Sequence, residues 1–311
     1  MLRKITPIIT DYYQIEVIKS DQYSPKSYKI STQNGKIYFL KNTTVNAGDK
    51  YQFLSNQGIN NVLYPILNRD RQFVTKVDEN AFYLSDYVDN NYFVDEVKVV
   101  NMYRELHNLH LQTAFKRQLS SNTARPKFEE ITRQLEFKFK NLEQFIRSVE
   151  MRKLSTYSMP ILANYQHILN AKKELIRLQK RIISSIKDRE SVDYAYVHNN
   201  PKLDHLLVFR GSKYLTSLEN GKIGISSLDM AKFYVENAHL NVDFKSLIVD
   251  YYQNENDFYY DYFRFLVLFI YIKRIIIKDL DYISAQSFIT NAKCIHRCYE
   301  LFSDKKEETD K

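Results

Sequence analysis

Apolar positions along this chain follow two rhythms, and the change comes near residue 92. Before it, short β-rich runs alternate with turn residues. Tyr28-Lys-Ile-Ser-Thr32 and Lys36-Ile-Tyr-Phe-Leu-Lys41 flank Gln33-Asn34-Gly35. Asn-Gly between such runs predicts a hairpin, because both residues tolerate positive φ. Gly48 to Asn60 predicts a short helix. Asn61–Leu67, Gln72–Val77 and Ala81–Val88 read as three further strands, with a turn at Asp78-Glu79-Asn80.

Beyond residue 92 the period lengthens. Val97, Val100, Tyr103, Leu106, Leu109 and His110 recur at helical spacing. A second stripe carries Ile131, Leu135, Phe139, Leu142, Ile146 and Val149, and a third Tyr165, Ile168, Leu175, Leu178, Ile182 and Ile186. Steps of three and four place each set on one helix face. Leu154–Pro160 reads as the loop between them, a β segment follows at 194–217, and helices resume at Ser227. A small β-rich lobe (1–88) and a larger helical lobe (89–303) make an α+β chain, with 304–311 expected as a disordered tail.

Composition narrows the picture modestly. At 311 residues, 44% hydrophobic and 26% charged, the chain can bury a sizeable core. The most apolar run, Phe265–Ile272, is too short to span a bilayer and predicts a buried helix. The first residues, Met1–Pro7, lack a long apolar stretch, so no secretory signal is expected and the expected location is cytoplasmic. Cys294 and Cys298 lie one helical turn apart, a poor spacing for a disulfide and too few ligands for zinc; reduced thiols are expected. Net charge is +8, and residues 115–190 hold 17 Lys/Arg against 8 Asp/Glu. That basic segment reads as a solvated helical face or as a contact for an anionic partner. No nucleic-acid signature accompanies it. His107 and His110 lack a third ligand and read as packing residues, so no metal site is expected.

The candidate chemistry lies in Tyr196-Val-His-Asn-Asn-Pro-Lys-Leu-Asp-His-Leu-Leu-Val208. Its outline resembles the His-Gly-Asp-x-x-x-x-Asn loop and following apolar strand of antibiotic and choline kinases. His198 and Leu206-Leu207-Val208 match, while Asn200 stands for the catalytic Asp and His205 for the metal-binding Asn. Lys213-Tyr-Leu-Thr-Ser-Leu-Glu219 resembles the segment of the second magnesium ligand, with Ser217 in place of Asp. Lys41 resembles the strand lysine that grips phosphates, and Ala81–Asn90, with Ser85, Asp86, Tyr87 and Val88, the adenine-contacting hinge. Gly224 and Leu228-Asp229-Met-Ala-Lys-Phe233 resemble the segment whose Asp braces a helix opening. In order and spacing the chain resembles the protein-kinase-like fold, aminoglycoside/choline phosphotransferase branch, and is most similar to the spore-coat CotS family. The long basic helical segment from Phe128 to Glu143 and the aromatic-rich C-terminal helices carry the CotS likeness.

The resemblance implies lost chemistry. Phosphotransfer needs a lysine on the phosphates, a carboxylate near the acceptor hydroxyl and side chains on magnesium. Asn200 is no base near pH 7, and His205 is a poor magnesium ligand. Asp204 and Glu219 are the only substitutes in reach by sequence. Gln52 stands where an acid would pair with Lys41, so Lys41 is expected to lack its ion pair. The main expectation is a pseudokinase acting through protein contacts, as a coat component or other scaffold, with no cofactor expected and ATP without magnesium as the secondary option. The alternative is a small-molecule phosphotransferase using Asp204 and Glu219. His198 and Asp229 are expected to brace loop and fold.

Overall fold

The computed structural model describes residues 2–89, 93–118, 121–151, 155–187, 189–252, 257–278 and 281–302. The expected tail 304–311, together with Asn90 and Leu154, lies outside them. By compactness the chain divides into two units, each discontinuous in sequence: 1–114 with 195–224, and 115–194 with 225–311. This line differs from the lobe boundary at residue 88.

The first unit is built on five antiparallel strands in the order β1-β2-β3-β5-β4: β1 (Val17–Ser24), β2 (Ser27–Thr32), β3 (Ile37–Thr43), β4 (Thr75–Val77) and β5 (Asn80–Asp86). The expected hairpin pairs Ser31 with Ile37, and Gly35 takes φ 77° at its tip. Strand alternation separates two faces. Tyr28 and Ile30 of β2, Tyr38 and Leu40 of β3, and Phe82 and Leu84 of β5 pack with Ile9 into one core. Lys29, Phe39, Lys41 and Ser85 belong to the opposite parity, with Phe39 facing both Lys29 and Ser85 across the sheet.

Ile9 comes from α1 (Leu2–Tyr13), a helix that a reading of the first 88 residues as mostly strands passes over; Pro7 lies inside it. β1 was also missed; it is an edge strand with mostly exposed side chains, so it shows no alternation. Asn61–Leu67 is not a strand. Pro65 has no N–H to give a ladder, and the segment instead makes single links: Leu63 N to Leu215 O (3.0 Å), Leu215 N to Asn61 O (2.7 Å) and Ile66 N to Leu84 O (2.7 Å). The expected strand Gln72–Val77 shortens to β4. The helix expected at 48–60 is α2 (Ala47–Asn56), and the first long helix is α3 (Asp95–Gln112).

The second unit opens with β6 (Phe115–Gln118), a short strand inside the basic segment that was not foreseen. Then come α4 (Ser121–Met151) and α5 (Ser158–Lys187), so the expected loop ends at Tyr157, three residues before Pro160, which lies in the first turn of α5. β7 (Ser191–Val197) pairs its first half with β6. The β segment continues in the first unit as β8 (Leu206–Phe209), β9 (Ser212–Leu215) and β10 (Lys222–Gly224). The remaining helices are α6 (Ser227–Asn237), α7 (Phe244–Tyr252), α8 (Asp257–Arg274) and α9 (Tyr282–Phe302). The apolar run 265–272 lies, largely buried, in the second half of α8, and no helix among the described residues is long and apolar enough to cross a membrane. Many cations of the basic segment have internal partners: Arg133 with Glu130, Lys172 with Glu143, Arg177 with Glu174 and Arg181 with Asp261. Cys294 and Cys298 are unpaired, and burial pushes the Cys298 thiol up to about 12.

Candidate functional site

Three bends in the backbone shape the loop after β7. Asn199 takes φ 64°, Arg210 and Gly211 take φ 49° and 81° in the β8–β9 turn, and Ser217 takes φ 61°. Left-handed residues favour Gly or Asn, so Asn199 suits the place held by Gly in the His-Gly-Asp pattern. The Asn199 side chain also donates to Asn220 O (3.1 Å). The next residue, Asn200, carries an amide and no carboxylate.

Two histidines hold that turn. His198 is fully buried and donates from Nε2 to Thr216 O (2.9 Å). His205, ending a short helical turn at Leu203–His205, donates from Nδ1 to Asn200 O (3.0 Å), and its own carbonyl accepts from Thr216 N (2.9 Å). The two rings stack almost parallel, 5.2 Å apart at 3°. Burial, then the neighbouring His198 and the Lys41 charge, push the His205 imidazole down to about 3. His205 is thus a neutral ring at physiological pH, with Nδ1 carrying the hydrogen and Nε2 a lone pair.

Lys41 corrects the expectation of a lost ion pair. Its Nζ bonds Ser217 Oγ (2.7 Å) and Glu219 Oε1 (2.5 Å), and both charged side chains are mostly buried. The Glu219 carbonyl accepts in turn from Lys50 Nζ on α2. Gln52 is exposed, and among the described residues its side chain bonds Asn56 of its own helix (2.8 Å). The acid that pairs with Lys41 therefore comes from the segment after β9 rather than from α2. Glu219 Oε2 is buried with no hydrogen-bond partner among the described residues. Burial and then the Glu219 charge raise the Tyr51 hydroxyl well above its ordinary value.

The other named residues do not all join this cluster. Asp204 is exposed on the 203–205 turn. Ser85 is buried, Asp86 pairs with Lys36 (2.9 Å), and Tyr87 lies under the Lys29 ammonium (4.5 Å to the ring). Val88 follows in the chain with no regular structure. Asp229 is fully buried in the first turn of α6, in the other unit. Phe39, Lys50 and Asn199 escaped the sequence reading. Phe39 was findable: two residues before a strand lysine lies a neighbour on the same face, here beside Ser85 of the hinge strand. Among the described residues no three His, Cys, Asp or Glu side chains form a metal-binding group.

No family model matches the chain, and no curated protein matches it. Solved structures do. The chain is similar to an aminoglycoside phosphotransferase from Alicyclobacillus acidocaldarius, at TM-score 0.64 and 14% identity over 94% of this chain and 92% of that one. It is similar to a spectinomycin phosphotransferase in an AMP-bound complex, at TM-score 0.54 and 14% identity over 99% and 95%. It is also similar to choline kinase LicA from Streptococcus pneumoniae, at TM-score 0.51 and 15% identity over 96% and 98%. At such identities the likeness establishes the fold, which is α+β and protein-kinase-like.

Proposed function

We propose that this chain is a pseudokinase: a kinase-fold protein that has left phosphotransfer and works by binding. The observation that carries this reading is the closed set of internal contacts at the chemical positions. Lys41, which would meet phosphate, is held by Ser217 and Glu219. Asn200, where a base would stand, uses its carbonyl to fix the His205 ring, and His205 stands where magnesium would need an oxygen. An amide cannot take a hydroxyl proton near neutrality, and a neutral imidazole is the wrong donor for magnesium. Without base or metal, the charge developing on a transferred phosphoryl group has no counterweight.

Binding of a nucleotide without metal fits the same geometry. Phe39 shares the face of Lys41 and lies beside Ser85, offering a ring for a base to stack on and an ammonium for a phosphate once Glu219 yields. The likeness of the sequence to CotS proteins supports a task in a multiprotein coat, with protein partners, and the chain is then expected in coat extracts of a sporulating source.

One observation favours a second reading, an ATP-dependent phosphotransferase for a small hydroxylated or choline-like substrate. The Glu219 carboxylate stands at the lysine with one buried oxygen unused, and the structural neighbours are named as phosphotransferases and a choline kinase. In that reading Glu219 takes a metal ion and Asp204 serves as acceptor base. Turnover of ATP by the full chain, with magnesium or manganese and choline or aminoglycoside acceptors, decides between them. No turnover above the Asp204→Ala and Glu219→Gln variants is expected; turnover lost in those variants overturns the pseudokinase reading.

A further inference from the structure

The cations of α5 divide into two classes. The helix holds six, Lys172, Lys173, Arg177, Lys180, Arg181 and Lys187, and one acid, Glu174. Three of the six are engaged within the second unit: Lys172 with Glu143 of α4 (2.7 Å), Arg177 with Glu174 (2.7 Å) and Arg181 with Asp261 of α8 (2.8 Å). Glu174 is also held by the mostly buried Arg264 (2.9 Å). Lys173, Lys180 and Lys187 are exposed, and no carboxylate among the described residues pairs with them.

These three lysines are seven residues apart. Seven residues make close to two helical turns and rise about 10.5 Å, so the lysines form one row about 21 Å long on a single side of the helix. The neighbouring row fixes which side that is. Lys172 and Gln179, each one residue earlier, face α4, where they meet Glu143 and Thr132. A step of one residue turns the side chain by about 100°, which carries Lys173 and Lys180 off the α4 seam and into solvent. Ile176, 46% exposed, borders the row between them.

We propose that this row docks an acidic α-helix of a partner protein, one whose carboxylates recur every seven residues. A helix laid alongside α5 repeats at the same rise of about 10.5 Å, and a shallow crossing of about 20° keeps three pairs in step. The row holds no acid, so a second copy of α5 would oppose lysine to lysine. Three cations neutralise too few phosphates to keep nucleic acid bound at physiological salt. They also fall short of the roughly four to eight cations of an anionic-lipid cluster. Exposed ion pairs are individually weak. The row therefore sets the register and orientation of the partner, and Ile176 gives the contact its apolar part. The surface rests on the binding role proposed above, yet the two fail separately: ATP turnover removes that role, whereas loss of spacing-dependent binding removes the surface.

The test uses the full chain and a fluorescent Ala/Gln helical peptide of about 22 residues with three Glu seven residues apart, read by anisotropy at low ionic strength. A control peptide of the same composition has its Glu five residues apart, which scatters them around the helix. The heptad peptide is expected to bind at least about fivefold more tightly than the control, and to weaken steeply between about 20 and 150 mM salt. Lys180→Glu should weaken it by about fivefold or more, and a peptide with Lys in place of its middle Glu should recover most of that loss. All three lysines are exposed, so the variants are expected to keep the wild-type Tm. Equal binding of both peptides overturns the proposal, as does binding unchanged when Lys173→Glu, Lys180→Glu and Lys187→Glu are combined. Displacement of the heptad peptide by single-stranded RNA or by phosphatidylserine vesicles at lower concentration than unlabelled peptide assigns the row to those anions and overturns it equally.

Discussion

Glu219→Gln is the sharpest perturbation of the candidate site. The variant keeps the shape of the side chain and removes the charge that faces Lys41. At 2.5 Å and an effective dielectric of 20, the Coulomb attraction is about 7 kcal/mol. Desolvation of the two ions, several kcal/mol each in a full interior, cancels most of that. Breaking a fully buried pair costs about 3–5 kcal/mol, because one ion is left behind. Here the side chains retain 17% and 16% exposure and Lys41 keeps Ser217, so about 2–3 kcal/mol is expected. Lys41→Met should cost a similar amount. Urea unfolding of wild type, both single variants and the double variant gives the coupling directly, and about 1.5–3 kcal/mol is expected. Gln52→Ala, at the position where an acid was expected, should change stability by less than about 0.5 kcal/mol. Single effects that add within about 0.5 kcal/mol, or a Gln52→Ala cost as large as that of Glu219→Gln, would refute the pairing.

Further tests address the frame around that pair. His205 is held neutral with its value pushed down to about 3, so the unfolded chain takes up its proton first as pH falls. The stability this contributes is complete above about 6.5 and declines progressively between there and about 3. Carbon-detected histidine NMR titration should show His205 neutral at pH 5, and His205→Asn should flatten that part of the stability profile. A Cβ on Gly221 would collide with the hydroxyl and ring edge of Tyr196, which is buried and donates to Leu218 O (3.0 Å). Gly221→Ala should therefore cost at least about 2 kcal/mol in chemical denaturation, while Asn199→Gly, at φ 64°, should cost less than about 1. In the second unit, burial is the largest influence on Glu174 and raises it. The Arg177 hydrogen bond and the Arg264, Arg177 and Arg181 charges together outweigh burial and leave it below its ordinary value. Its stabilisation is present above about 4.5 and lost as pH falls further. Glu174→Gln should remove about 1–3 kcal/mol at pH 7 and progressively less as pH falls below about 4.5, measured by urea midpoints.

Much of the frame was legible because it rests on local chemistry. Gly35 fixed its hairpin through positive φ, and the stripes of α4 and α5 announced their buried faces, whereas on α3 the expected Val97 is exposed and Val99 and Met102 are buried instead; the apolar run 265–272 lies in the second half of α8. Elements without such a signature stayed hidden. β1 and β6 are exposed strands whose side chains carry no alternation, and α1 holds Pro7 inside it, a residue that argues against a helix when read from sequence. Asn61–Leu67 looked like a strand because its residues favour extended backbone. Its carbonyls and amides go to partners too scattered for a ladder.

The sequence by itself determined the order of Lys41, the 81–90 segment and the 196–208 loop, and the residue types along them. That Asn200, His205 and Ser217 carry no carboxylate is read without any coordinates, because it concerns functional groups and not their placement. Only the tertiary structure decided what Lys41 does. Its partner is 178 positions away along the chain, and α2 at Lys50 joins the same contact. Helical and strand periods report which side of an element is buried, whereas the choice of carboxylate for a buried ammonium depends on distance and desolvation in three dimensions.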